Sequence, residues 1–193
     1  MGNTEGNYLE VAIGEVYSRN NMIPAGDLEE TVAEHEEEEV YRSYYHFDEG
    51  RVQHAAKKRT TKAFVGDLYV KDIIFDYDGP DALDAARTLY SKLVGLSVPK
   101  DWISVWFSGN KGYHIHIPNV FGFKDGRFAH QDVRLTLSDF APGVDLMPVS
   151  KTGLIRAPWS YHKKSGLRKV YLDPMFFMNE PEDKHRAYAN TTR

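Results

Sequence analysis

A chain of 193 residues, 41% hydrophobic and 13% aromatic, can bury a real core as one domain, with or without an N-terminal appendage. It has no cysteine, which excludes disulfides, a thiolate nucleophile and Cys-type structural zinc, and leaves carboxylate and imidazole as metal ligands, a set that favours Mg²⁺ or Mn²⁺. The formal charge of -4 hides an asymmetry: residues 1–39 hold one base, Arg19, against eleven acids, whereas residues 40–193 hold 23 bases against 17 acids, a balance compatible with a polyanionic partner and also with an ordinary solvated surface.

Residues 1–26 show little periodicity and read as a weakly ordered lead-in. Asp27 and Glu30 form a capping-box pattern for a helix continuing through Val32, Val40, Tyr41 and Tyr44, with Glu36–Glu39 on its solvated face. Segment 1–39 is therefore expected to be an acidic, partly helical appendage. From His46 to Lys62 the pattern weakens and bases gather, among them Arg51, Lys57, Lys58, Arg59 and Lys62. This segment is either a charged loop or a contact for nucleic-acid phosphates.

The run Leu68–Asp78 reads as a strand with Tyr69, Ile73 and Phe75 on one face and Val70, Ile74, Asp76 and Asp78 on the other. Aspartates at i and i+2 share a face with backbones roughly 7 Å apart, close enough for both carboxylates to reach a pair of divalent ions. Strand-end acids are frequent for other reasons too. After Gly79-Pro80, the positions Leu83, Ala86, Tyr90, Leu93 and Val94 keep helical spacing, with Pro80 in the first turn and Gly95 as the stop.

Trp102–Phe107 and Tyr113–Ile117 read as two strands linked by Ser108-Gly-Asn-Lys-Gly112. The glycines permit a tight turn that presents amide donors, and Ser108, Lys111 and His114 add donors suited to phosphate oxygens. His114 and His116 share the strand face opposite Ile115 and Ile117, and His116 reads as a structural imidazole. Val133, Leu137 and Phe140 space a short helix, Gly153–Ile155 and Lys169–Leu172 read as strands, and the polar tail 179–193 is expected to fray. Between them, Arg156-Ala-Pro-Trp-Ser-Tyr-His162 offers a guanidinium and an imidazole to a phosphate group; alone it is a basic loop. No apolar run approaches the ~20 residues of a membrane span, and the polar start lacks the regions of a secretory signal, so a cytoplasmic, non-secreted protein with no membrane partner is expected.

Three segments taken jointly, Phe75-Asp-Tyr-Asp78, Ser108-Gly-Asn-Lys-Gly-Tyr-His114 and Val144-Asp145, resemble in kind and order the three signatures of the archaeo-eukaryotic primase superfamily. That group includes small catalytic subunits of cellular primases, primase-polymerases of plasmids and phages, and end-joining repair polymerases. Arg156-Ala-Pro-Trp-Ser-Tyr-His-Lys-Lys-Ser-Gly166 matches a further pattern of primase small subunits. The resemblance spans residues from about 40 to 175, within an expected catalytic core of 40–178. It implies an α+β fold: an RRM-like antiparallel sheet backed by helices, joined to an N-terminal α/β module. It also implies a two-metal site of Asp76, Asp78 and Asp145, taking Mg²⁺ or Mn²⁺, and a triphosphate site of Ser108, Lys111, His114, Arg156 and His162.

Asn110 stands where the family often has a base, and without cysteines the zinc module of many relatives is not expected. The implied activity is DNA primase or primase-polymerase, template-directed nucleotidyl transfer in DNA replication. Its partners would be nucleoside triphosphates, a single-stranded DNA template and a replicative helicase or larger primase subunit. Lys57, Lys58, Arg59 and Lys62 are the expected template contacts, with Lys163, Lys164, Arg168 and Lys169 as the alternative set.

Two other functions fit parts of the sequence. Ile73-Ile-Phe-Asp-Tyr-Asp-Gly79 and Val105-Trp-Phe-Ser-Gly109 mimic the first motifs of haloacid-dehalogenase-like phosphohydrolases, though Pro80 stands where a hydroxyl residue belongs and a late paired-acid motif is missing. A non-catalytic nucleic-acid-binding replication protein with a primase-like fold is the other; loss of a metal carboxylate would favour it, and all three are present.

Overall fold

The structure is a computed structural model that describes residues 6–61 and 64–192. In chain order its elements are β1 (Tyr8–Ile13), β2 (Asn21–Pro24), α1 (Leu28–Glu34), β3 (Val40–Ser43), α2 (Glu49–Lys58), β4 (Asp72–Tyr77), α3 (Ala82–Gly95), β5 (Ser104–Phe107) and β6 (Tyr113–Pro118). They are followed by α4 (Ala129–Phe140), β7 (Leu154–Arg156), β8 (Tyr161–His162), β9 (Leu167–Arg168), β10 (Val170–Leu172), α5 (Pro174–Asn179) and α6 (Glu182–Thr191). The fold is α+β, with two four-stranded sheets ordered β2-β1-β3-β7 and β10-β5-β6-β4 and a small ribbon of β8 and β9. Every strand pairing among the described residues is antiparallel.

The second sheet shows why its sequence alternates. On one face Ile73, Phe75 and Tyr77 of β4, Val105 and Phe107 of β5, Tyr113, Ile115 and Ile117 of β6, and Val170 and Leu172 of β10 are all buried in one core. Helix α3 covers that face with Ala82, Ala86, Leu89, Tyr90 and Leu93, and α4 contributes Ala129, Val133 and Leu137 to the same core, a helical repeat of apolar positions in each case. The opposite face is polar where β4 meets β6: Asp76 lies across from His114, and Ile74 from His116. A one-residue slip would turn these groups into the apolar layer, so the pattern itself fixes the register.

Several sequence expectations are corrected. The lead-in is ordered, as β1 and β2 build the first sheet. The boundary expected at residue 39 falls between β1 and β3, which are paired neighbours. The helix begun at Leu28 stops at Glu34, Asp27 makes no side-chain cap, and Val40 and Tyr41 belong to strand β3. Helical spacing across 32–44 overlies a short strand, Val40–Ser43, that is buried at all but Tyr41.

The basic segment is helix α2, capped by Asp48, whose Oδ1 accepts from the Arg51 amide at 3.3 Å. Arg51 itself is 1% exposed and pairs with the fully buried Glu10 at 2.7 Å. Helix α3 does end at Gly95, but the positive φ of the reversal falls on Ser97 at 63°. The tail forms α6, anchored where Tyr113 Oη lies 2.9 Å from His185 Nδ1, with His185 and Ala189 buried. Among the described residues no helix is long and apolar enough to cross a membrane.

Candidate active site

Strand β4 ends at Tyr77, which leaves Asp76 on the strand and Asp78 just past it. Asp145 comes from the loop after α4, and its amide donates to the Asp76 carbonyl at 2.7 Å, docking that loop against the strand. One carboxylate oxygen from each of Asp76, Asp78 and Asp145 lies within 4.8 Å of the others. Three acids this close repel one another, and the cost falls on Asp78: burial, then Asp76 and Asp145, push its carboxyl up to about 6. Burial also opposes ionisation of Asp76, but His114, with Lys169 and Arg156 behind it, outweighs that and holds its carboxyl below the usual range.

Asp76 Oδ1 is buried and has no aligned hydrogen-bond donor, although His114 Nε2 lies 3.2 Å away. An ionised oxygen whose near contact, His114 Nε2, is poorly aligned, inside a cluster of repelling carboxylates, fits a divalent cation, since hard oxygen ligands and unbalanced negative charge are what such an ion compensates. Asp145 Oδ1 is partly engaged, accepting from the Met147 amide at 2.8 Å.

The turn between β5 and β6 closes on itself: Ser108 Oγ accepts from the Gly112 amide at 3.0 Å, and the Ser108 amide donates to the Gly112 carbonyl at 2.9 Å. A Cβ on Gly112 would run into Asp78 Oδ1 and the Tyr77 carbonyl, so this glycine lets the turn press against the acid cluster. Gly109 holds φ at 91° with its α-carbon packed on the Arg168 backbone.

A cleft of about 590 Å³ joins these groups, lined by Asp76, Asp78, Asp145, Ser108, His114, Arg156 and His162 of the expected set. Lys111 is exposed and is not among the lining residues; Asn110 takes its place at the wall. Lys57, Lys58 and Arg59 are exposed at the end of α2, away from the lining, and Lys62 lies outside the described residues.

Arg156 ends β7, where its strand partner is Tyr41. Its guanidinium donates to the Tyr41 hydroxyl at 2.9 Å and the Tyr161 carbonyl at 2.8 Å, and pairs with Glu39 Oε1 at 3.1 Å. His162 Nδ1 is 3.8 Å from the same Glu39 oxygen and has no hydrogen-bond partner. Burial and Arg156 lower the His162 pKa against the pull of Glu39. Ser160, fully buried, serves the fold, accepting the Val40 amide at 2.7 Å and so tying this segment to β3.

Four cleft or near-cleft residues escaped sequence reasoning. Glu39 reads from the sequence as part of a solvated face, yet it pairs with Arg156 and lies beside the His162 ring. Tyr41 became visible only once Val40–Ser43 proved to be a strand. Arg19, the lone base of the acidic segment, lines the cleft while paired to Glu10 at 3.0 Å and donating to the Thr152 carbonyl at 2.9 Å; its isolation among acids was the available signal. Lys169, proposed as an alternative template contact, is 0% exposed and cannot reach a template. Burial, then Arg42 and Arg156, push its pKa well down against the pull of Asp76.

No family model and no curated protein matches the sequence. Among solved structures, the polymerase domain of Mycobacterium tuberculosis Ligase D, determined in complex with DNA, is similar over 80% of this chain and 60% of its own, at 14% identity and a TM-score of 0.44. The AEP domain of the cyanophage S-2L primase-polymerase is similar over 97% of this chain and 90% of its own, at 12% identity and a TM-score of 0.46. The chain resembles the primase superfamily. Its three signatures come from separate segments that the fold brings to one cleft.

Proposed function

We propose that this protein is a nucleotidyltransferase of the primase-polymerase kind, extending or initiating chains from nucleoside triphosphates on a single-stranded DNA template during DNA replication. The observation that carries this reading is the convergence of Asp76, Asp78 and Asp145 at one cleft that Ser108, His114, Arg156 and His162 also line. The three aspartates would hold Mg²⁺ or Mn²⁺, which when bound supplies Lewis-acid activation of a hydroxyl and neutralises phosphate charge. Arg156 and His162 then bind the triphosphate and orient it toward the acids, with the Ser108 turn as the adjoining wall. Lys111, exposed and outside the lining, drops out of this set.

A haloacid-dehalogenase-like phosphohydrolase is disfavoured, since Pro80 stands where that family wants a hydroxyl residue and its late paired-acid motif is missing. The non-catalytic alternative leaves the cost of crowding three carboxylates unexplained. The reading further takes the protein to work in the cytoplasm, beside a replicative helicase or a larger primase subunit.

The test incubates the protein with single-stranded DNA, labelled ribo- or deoxyribonucleotides and Mg²⁺ or Mn²⁺, with and without a primer. Oligonucleotide ladders that vanish with Asp145→Ala are expected. Free phosphate released from simple phosphomonoesters, with no ladder, would replace this reading with hydrolysis.

A further inference from the structure

Lys169 lies between β9 and β10, and its ammonium is sealed from solvent beneath the cleft. Among the described residues no carboxylate pairs with it. Its Nζ instead lies 2.8 Å from His114 Nδ1, 3.3 Å from His116 Nε2 and 2.9 Å from the Arg156 carbonyl oxygen. Nζ thus donates to the Arg156 carbonyl and faces two ring nitrogens able to accept, joining two different strands, one in each sheet. In its ammonium form Lys169 has no lone pair to offer, and each ring nitrogen facing it is then the unprotonated one.

The other edge of His114 gives the same answer. Its Nε2 lies 3.2 Å from Asp76 Oδ1, and a lone pair facing an ionised carboxylate at that distance would be repelled, so Nε2 carries the proton. His116 presents its opposite nitrogen to the same ammonium and must carry its proton on Nδ1. Two histidines on one face of one strand, stacked with ring centroids 6.2 Å apart, are therefore held in opposite tautomers by a single lysine.

We infer that Lys169 is a positioning residue of the acid cluster: it fixes the tautomer and ring orientation of His114, which in turn fixes Asp76. The same ammonium holds the Arg156 carbonyl, so the acid end and the cationic end of the cleft hang from one buried group. This inference rests on Asp76 being a metal ligand. Residues that orient a ligand in this indirect way commonly change metal affinity about 10- to 100-fold when removed.

The experiment uses the full chain labelled with ¹⁵N-histidine. Long-range ¹H–¹⁵N spectra of the metal-free protein are assigned with His116→Gln, and Mn²⁺ affinity is measured by electron paramagnetic resonance. Expected are an Nε2–H tautomer for His114 and an Nδ1–H tautomer for His116. Lys169→Met should bind Mn²⁺ about 10- to 100-fold more weakly with a mixed His114 tautomer, and Lys169→Gln, which keeps an N–H donor, should recover part of both. An Nδ1–H tautomer for His114 in the wild-type protein overturns the inference even if Lys169→Met does not fold. So does a folded Lys169→Met with unchanged tautomers and Mn²⁺ affinity. Wild-type protein that binds no Mn²⁺ yet shows the expected tautomers would instead overturn the metal-site reading on which the role of Lys169 depends.

Discussion

Glu39 Oε1 sits 3.1 Å from Arg156 Nη2, so the guanidinium assigned to an incoming triphosphate is already neutralised by an acid of the same chain. Glu39 is further held by the Lys163 amide at 3.2 Å and the Tyr41 hydroxyl at 3.2 Å. Burial works against its ionisation, but Arg156 and these donors keep its carboxyl below the usual range. An anionic ligand at Arg156 must therefore approach a fixed negative charge or displace it. Glu39→Gln keeps the shape and removes the charge, while Arg156 stays anchored by Tyr41 and the Tyr161 carbonyl. The expected result is triphosphate binding several-fold tighter by calorimetry, corresponding to about 1 kcal/mol for a partly exposed pair. Weaker binding in Glu39→Gln would show that Glu39 serves to orient Arg156 and does not compete with the ligand.

The limits of sequence reading are visible in the same pair. Asp76, Ser108 and His114 were legible because alternation on strands β4 and β6 fixes which side chains share a face, and because the turn between β5 and β6 needs glycines; Asp145, in the loop after α4, was reached only through the resemblance of Val144-Asp145 to the third signature. Glu39 was not legible, because a run of four glutamates has no periodicity of its own and its last member is half-buried against Arg156, His162 and the Lys163 amide, more than a hundred residues away. Lys169 was misplaced for a related reason: in a basic stretch, nothing local distinguishes the one lysine that turns inward. The ordered lead-in was hidden because the hairpin of β1 and β2 takes its next partner, β3, from beyond residue 39 and is joined through it to β7.

Asp78 makes a prediction in which stability and binding move oppositely. Its carboxyl, raised to about 6 by burial and by Asp76 and Asp145, disfavours the metal-free fold once ionised. The sign is the reverse of a salt-bridged aspartate: this group's contribution improves as pH falls through 6 toward its unfolded value. Asp78→Asn should leave the metal-free protein equally or more stable at pH 7, by less than about 1 kcal/mol because the site is open to solvent screening. The same variant should lose Mn²⁺ binding and nucleotide incorporation. Thermal unfolding with and without Mn²⁺ measures both: metal should raise the wild-type midpoint and leave that of the variant unchanged. A variant that is both less stable and still stabilised by Mn²⁺ would remove Asp78 from the metal site.

Glu10 anchors the first sheet to the cleft. It is fully buried and accepts from Arg19 at 3.1 and 3.0 Å, Arg51 at 2.7 Å and Thr61 Oγ1 at 2.9 Å. Burial alone would raise its pKa, but Arg19 and Arg51 reverse this and hold the carboxyl down to about 2. A depressed carboxylate contributes stability that is complete above its unfolded pKa and lost as pH falls from about 4.5 toward 2. Glu10→Gln leaves Arg51 buried without its counter-ion and should cost about 3–5 kcal/mol. It should also flatten the acid limb of stability across that window, as followed by chemical denaturation at several pH values. A loss below about 1 kcal/mol would mean that Arg51 finds another partner.

Lys57, Lys58 and Arg59 remain the best-placed exposed bases outside the cleft, and their setting makes the template proposal sharper than the sequence did. They occupy the C-terminal turn of α2, where cations also complement the helix dipole, so a purely local role is a real competitor. The two roles differ in what they do to binding. Each phosphate neutralised on a single strand adds about 0.7 to the slope of log affinity against log salt. Replacing all three with Ala should therefore lower that slope for single-stranded DNA by about 2 if each makes one contact, while free nucleotide, held at Arg156 and His162, binds as before. A local role predicts the opposite pattern: a small loss of thermal stability with the salt slope untouched. In that case template contacts are to be sought at Lys163, Lys164 and Arg168, since Lys169 is sealed inside the fold.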